Sequence, residues 1–184
     1  MNPIKRQVFS YYKTPLLLAL TLFVTLLGVT VEREPVNIAI LLIGALLGVF
    51  LLDFDYLIYT IFEPTDDFSV NLTSYINHGD YAGALHHINL NKSRVLETTL
   101  NSGLFQIVLI ATEAFILNTP NNLLLKVLVL STLVNSAYRL AENYFSQGGL
   151  HNWFWMFNIK LNQNGVIGYF ALVGFSILYF IVNF

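Results

Sequence analysis

The chain contains no cysteine. That absence excludes disulfides, thiolate nucleophiles and cysteine-type zinc sites, and it leaves the compartment open. Charge is scarce as well. Lys, Arg, Asp and Glu together make up 11% of the 184 residues, against about 25% in an ordinary soluble domain. A soluble protein needs charge on its surface, so this deficit points to an integral membrane protein. The hydrophobic fraction of 55% and the mean hydropathy of +0.62 agree. The net charge is −2, which gives no basic excess for nucleic acid. Also missing are G-x-S-x-G, a P-loop and a dinucleotide fingerprint. There is no internal repeat and no low-complexity tract.

What is present is a set of long apolar runs. A spanning helix needs about 20 apolar residues. Five segments meet or approach that length, at about 14–31, 36–62, 100–117, 122–141 and 165–184. The reading is an all-α, polytopic membrane helix bundle forming a single domain over 1–184. No small-residue cleavage site follows the first run, so it reads as an uncleaved span rather than a secretory signal.

Orientation follows the basic residues. Lys5, Arg6, Lys13, Lys92, Arg94, Arg139 and Lys160 fall on one side of a five-span arrangement. Opposite them are Arg33, flanked by Glu32 and Glu34, and Lys126 just inside span four. The expected topology is multi-pass in the cell's inner membrane, with the N-terminus cytoplasmic and the C-terminus external. Both long loops, about 63–99 and 142–164, are then cytoplasmic.

Those loops carry structural signals. "EPTDD" reads as a turn and helix start. Asp80 can cap a short helix whose Tyr81, Ala84, Leu85 and Ile88 share one face, which suits an interfacial helix. Trp153 and Trp155 are interfacial anchor types, and Gly148-Gly149 permits a sharp turn.

The stretch "GVFLLDFDYLIY", Gly48 to Tyr59, places two carboxylates in an apolar run. A charge at mid-bilayer costs roughly 2.5–3.5 kcal/mol on insertion scales. Asp53 and Asp55 come about 17 residues into span two, about 26 Å from its outer end at 1.5 Å per residue, which is near the cytoplasmic boundary. Residues two apart point in different directions on a straight helix, so joint action of the pair requires the helix to end or bend. "GALLG", Gly44 to Gly48, matches a small-xxx-small packing pattern.

Other polar groups reach the same depth. In span four Asn135, Tyr138, Arg139 and Glu142 form one stripe. At the head of span three Arg94, Glu97, Thr98 and Asn101 form another. Asp53, Asp55, Glu97 and Glu142 outnumber the two arginines by two charges, a surplus that suits either a divalent cation or exposure to water. The bland alternative is a polar clamp, with Asp53 neutralised by Arg139. Glu113, deep in span three, reads as a structural partner of Lys126 or as a protonated, hydrogen-bonding acid. His86 and His87 lack the zinc-helix spacing and read as loop histidines.

Taken together, these motifs give a family resemblance. "GALLGVFLLDFDYLIY" resembles a glycine-rich span ending in P-D-x-D, with Leu52 in place of the proline. "NKSRVLETTLNSGLF" falls where H-R-G-x-T-H-S is expected, with Arg94 kept and Ser93 and Thr98 in the histidine places. "SAYRLAENYFSQGGLHNWFWMF" resembles H-x-x-x-D followed by a glycine turn and an aromatic cluster, with Tyr138 and Glu142 replacing histidine and aspartate. Over about 36–160 the chain thus resembles the LexA-regulated, membrane-bound, metal-dependent hydrolases, phospholipase C-like inner-membrane proteins, in divergent form. That resemblance implies Asp53, Asp55 and Glu142 as metal ligands. An all-oxygen set suits Mg²⁺, Mn²⁺ or Ca²⁺ rather than Zn²⁺. It also implies Arg94 or Arg139 on the phosphate of a phospholipid or other phosphoester at the cytoplasmic leaflet, and Glu97 as a proton-transfer group. The missing histidines favour an alternative, a non-catalytic membrane protein that is structural or binds a lipid head group or partner. A small transporter, resting on Glu113, is the third reading.

Overall fold

A computed structural model describes residues 3–91, 95, 98–119, 122–147, 150–157 and 161–184, with the side chains of the first turns, up to Val8, left aside. Every regular element among them is helical: α1 (Pro3–Thr30), α2 (Pro35–Leu51), α3 (Phe54–Phe62), α4 (Asp67–Asn77), α5 (Tyr81–Asn91), α6 (Gly103–Leu117), α7 (Leu123–Gln147) and α8 (Gln163–Val182), with a 3₁₀ turn over Asn152–Phe157. The fold is a helical bundle, as the apolar runs require. Four stretches are long and apolar enough to cross a membrane: Phe9–Thr30, Pro35–Phe62, Leu123–Ser146 and Gln163–Val182. The third expected span corresponds to α6, an apolar helix of only 15 residues that falls short of the length of the other four.

α7 is the central helix. α2 packs along it most extensively, and α1, α6 and α8 surround the pair. Two glycines allow the α2–α7 approach. A Cβ added to Gly44 would meet the Val127 side chain at 3.0 Å, and one added to Gly48 would sit 2.6 Å from Ser131 and 2.8 Å from the Thr132 backbone nitrogen. Ser131 uses this proximity to donate its hydroxyl to the Ala45 carbonyl at 2.6 Å. The "GALLG" pattern is thus the seam of the bundle.

The core between the long helices is apolar, with Leu22 and Leu26 of α1, Leu41 and Val49 of α2, Leu109 of α6, and Val127, Leu130 and Leu133 of α7. The outside is apolar too. Val24, Ile43, Leu47, Phe115, Phe175 and Val182 are exposed, as expected where lipid is the solvent.

Helices α3 to α5 form a small platform at one end of the bundle, where the sequence predicts a single interfacial helix. Asp66 caps α4 by accepting from the Phe68 N–H, and Asp80 caps α5 by accepting from the Gly83 N–H at 2.9 Å. Both caps stand where turn chemistry places them. The platform has its own core of Tyr56, Phe68, Leu72, Ala84, Ile88 and Val95, and α5 also packs on α1. Tyr81 does not join Ala84 and Ile88; it faces outward. His87 stacks on Phe68 at 5.0 Å between ring centroids and binds the Phe68 carbonyl, which staples α5 to α4.

Trp153 departs from its expected role. It is not an interfacial anchor but a buried side chain, packed with Leu140, Phe154 and Val166. The Gly148-Gly149 turn lies outside the described residues.

Candidate functional site

The helix containing the two aspartates breaks where they occur. α2 ends at Leu51, Asp53 continues in a turn, and α3 starts at Phe54. The two carboxylates nevertheless take different partners. Asp53 does not cap α3. Its Oδ1 accepts from Arg139 Nη2 at 2.6 Å, and its Oδ2 accepts from the Tyr12 hydroxyl. The pair is nearly dry, with side chains 12% and 8% exposed for Arg139 and Asp53. The second nitrogen of the guanidinium, Nη1, donates to Asn101 Oδ1 at 3.0 Å.

Asp55 is buried more deeply, at 1% exposed. Its Oδ1 accepts from the Thr99 backbone N–H at 2.9 Å. Its Oδ2 accepts from the Asn101 N–H at 2.7 Å and from Asn101 Nδ2 at 2.8 Å. Asn101 Nδ2 also reaches the Leu52 carbonyl. Tyr12, Asp53, Arg139, Asn101 and Asp55 therefore form one continuous hydrogen-bonded relay joining α1, the α2–α3 break, α7, the segment before α6, and α3.

This relay has a clear structural task. Residues 98–102 are not helical, yet Thr98 and Ser102 are buried. Irregular backbone at membrane depth is tolerated only where the protein satisfies its polar groups. Asp55 satisfies two of the N–H groups. Trp155 Nε1 donates to the Thr98 carbonyl, the Ser102 hydroxyl donates to the Thr99 carbonyl, and the same hydroxyl caps the Phe105 N–H.

Of the predicted site residues, Asp53, Asp55 and Arg139 come together. Glu142 stands one turn beyond Arg139 on α7, half-buried, and its charge and that of Arg139 both act on Tyr11. Arg94 and Glu97 lie outside the described residues. Among the described residues no three His, Asp or Glu side chains form a group that could hold a metal ion. The phenols missed from sequence are Tyr11, Tyr12 and Tyr56, which surround the Asp53–Arg139 pair. Their only signal was position, since Tyr11 and Tyr12 immediately precede Lys13 at the basic end of span one.

Glu113 and Lys126 do not close a salt bridge. Lys126 Nζ donates instead to the Leu117 carbonyl at 3.0 Å, at the C-terminal end of α6. His86 lies half-buried on α5 with Nδ1 unpartnered among the described residues.

Fold and relay together define a helical membrane protein, braced at one end by a buried ionic network. Compared with protein-family models, with curated proteins and with solved structures, the chain has no match.

Proposed function

We propose that the chain is a non-catalytic membrane protein in which the relay locks the bundle and holds the α3–α5 platform in place as a lipid-binding element. One observation carries this reading. All four oxygens of Asp53 and Asp55 already accept hydrogen bonds from protein donors. A cation on that pair would have to compete with a guanidinium, a tyrosine hydroxyl and two backbone N–H groups for the same oxygens. The hydrolase reading, with Asp53, Asp55 and Glu142 as ligands and Arg94, Arg139 and Glu97 around a phosphoester, has to win that competition. The platform exposes Ile61, Phe62, Val70, Tyr81 and Leu90, side chains that suit a layer resting among phospholipid head groups.

Elemental analysis of gently purified protein is expected to find no stoichiometric Mg, Mn, Ca or Zn. A chelator is expected to leave the thermal midpoint unchanged. One metal per chain, lost in the Asp53→Ala/Asp55→Ala variant, would overturn the lock in favour of the hydrolase reading.

In this proposal the relay end and the N-terminus are cytoplasmic and the C-terminus is external, in the cell's inner membrane. The basic residues clustered toward the relay end support it. A chain without cysteine permits labelling without background. In intact cells a membrane-impermeant maleimide is expected to modify Arg33→Cys at once and Lys13→Cys only after permeabilisation. The opposite pattern reverses the orientation.

A further inference from the structure

A third buried carboxylate, besides Asp53 and Asp55, has no part in the relay. Glu113 lies on α6 with 0% exposure, and neither of its oxygens has a hydrogen-bond partner among the described residues. An ionised carboxylate in that setting would be unsolvated, at a cost far above that of a neutral acid. Two turns along the same face of α6 is Gln106, equally buried. Its Oε1 accepts from the Tyr169 hydroxyl at 2.8 Å, while its Nε2 is unpartnered among the described residues.

The charged group acting on Glu113 is Lys126 of α7. α8 presents Tyr169 to α6, but at the level of Gln106; the 3₁₀ turn presents no titratable side chain. Lys126 also lines a cleft of about 550 Å³ at the end of the bundle opposite the relay, together with Thr30, Glu32, Asn37, Asn122 and Phe184. Glu32 is ionised there. The Glu34 N–H, helped by Asn37 and the Arg33 N–H, holds its carboxyl below the usual value against a smaller opposing effect of desolvation. Lys126 thus stands between a cleft and a carboxyl buried in the bundle, and among the described residues its ammonium donates to a carbonyl at the end of α6.

We infer that Glu113 is a proton-binding site served by Lys126 from this cleft. With the proton on, the carboxyl is neutral and the ammonium caps α6 at Leu117. With the proton off, the carboxylate draws the ammonium from Leu117 and the two charges compensate within the bundle. The proton leaves by the cleft, and no other atom is exchanged. This inference is independent of the lock at the other end, which shares no residue with it.

The test uses the full chain in lipid nanodiscs and a hydrophobic carbodiimide, which adds to protonated carboxyl groups within membranes. A single adduct is expected on the peptide carrying Glu113. Labelling is expected to fall as the pH is raised and to vanish in Glu113→Gln. Lys126→Gln removes the compensating cation and is expected to move the labelling midpoint upward by about 1 pH unit or more. A purely packing role for Lys126 would not move that midpoint. Absence of an adduct at Glu113 in the wild type overturns the inference, as do labelling that does not depend on pH and a midpoint unchanged by Lys126→Gln. The wild-type result stands even if a variant fails to fold.

Discussion

Arg139→Met is expected to destabilise the protein by about 3–5 kcal/mol, the range for removing one partner of a buried ion pair. The substitution leaves the buried Asp53 carboxylate with the Tyr12 hydroxyl as its side-chain donor among the described residues, and it strips the donor from Asn101 Oδ1. Thermal unfolding in nanodiscs, or denaturant unfolding in detergent, reads the loss. The informative comparison is Arg139→Met combined with Asp53→Leu. If the pair only braces the bundle, the double variant should recover most of the lost stability, because an apolar pair often matches a buried ionic one. A double variant no better than the Arg139 single would show that the charges are not coupled as the geometry requires.

Asp55→Ala is expected to cost several kcal/mol by a different route. It orphans the Thr99 and Asn101 N–H groups and takes one of two acceptors from Asn101 Nδ2. Each buried donor left unsatisfied costs about 1–3 kcal/mol. The damage should be local, with hydrogen exchange accelerating at residues 98–106 while the α2–α7 seam stays protected. Asp55→Asn keeps an acceptor oxygen and should fall between the wild type and the alanine variant. Equal protection of residues 98–106 in the wild type and Asp55→Ala would remove Asp55 from its role as their anchor.

The parts of this architecture legible in sequence were those governed by solvent and by periodicity. Long apolar runs in a chain poor in charge leave little choice but a helical bundle. The spacing of Gly44 and Gly48 pointed to the face that meets α7. The geometry of residues two apart made a break the condition for Asp53 and Asp55 to act together; the helix does break there, yet the two carboxylates take separate partners, and Asp53 pairs with Arg139, the neutralising arginine weighed from charge balance. Other features depended on tertiary contacts with no local signature. Nothing in "SYYKT" says that Tyr12 will meet a carboxylate 41 residues later. The task of Asp55 was hidden because its partners are backbone N–H groups, which every residue but proline carries. Trp153 is interfacial by type, yet it packs against Leu140 of α7 and Val166 of α8. The start of α4 was signalled by "EPTDD", but its packed face was not, because Phe68, Ser69 and Leu72 stand among polar residues of loop composition.

The shortness of α6 has a consequence for the membrane itself. Fifteen residues span only about 22 Å, whereas a bilayer core is about 30 Å thick. The neighbouring helices have no such shortfall. The bundle therefore presents a tall hydrophobic wall on one side and a low one at α6, where Ile107, Val108 and Phe115 face outward. If α6 crosses the bilayer, lipid beside that flank thins, tilts or admits head groups toward the non-helical 98–102 segment. Asp55 keeps that segment in order, so a single carboxylate would help set the local thickness of the membrane around the protein and the lipid composition that wets it best.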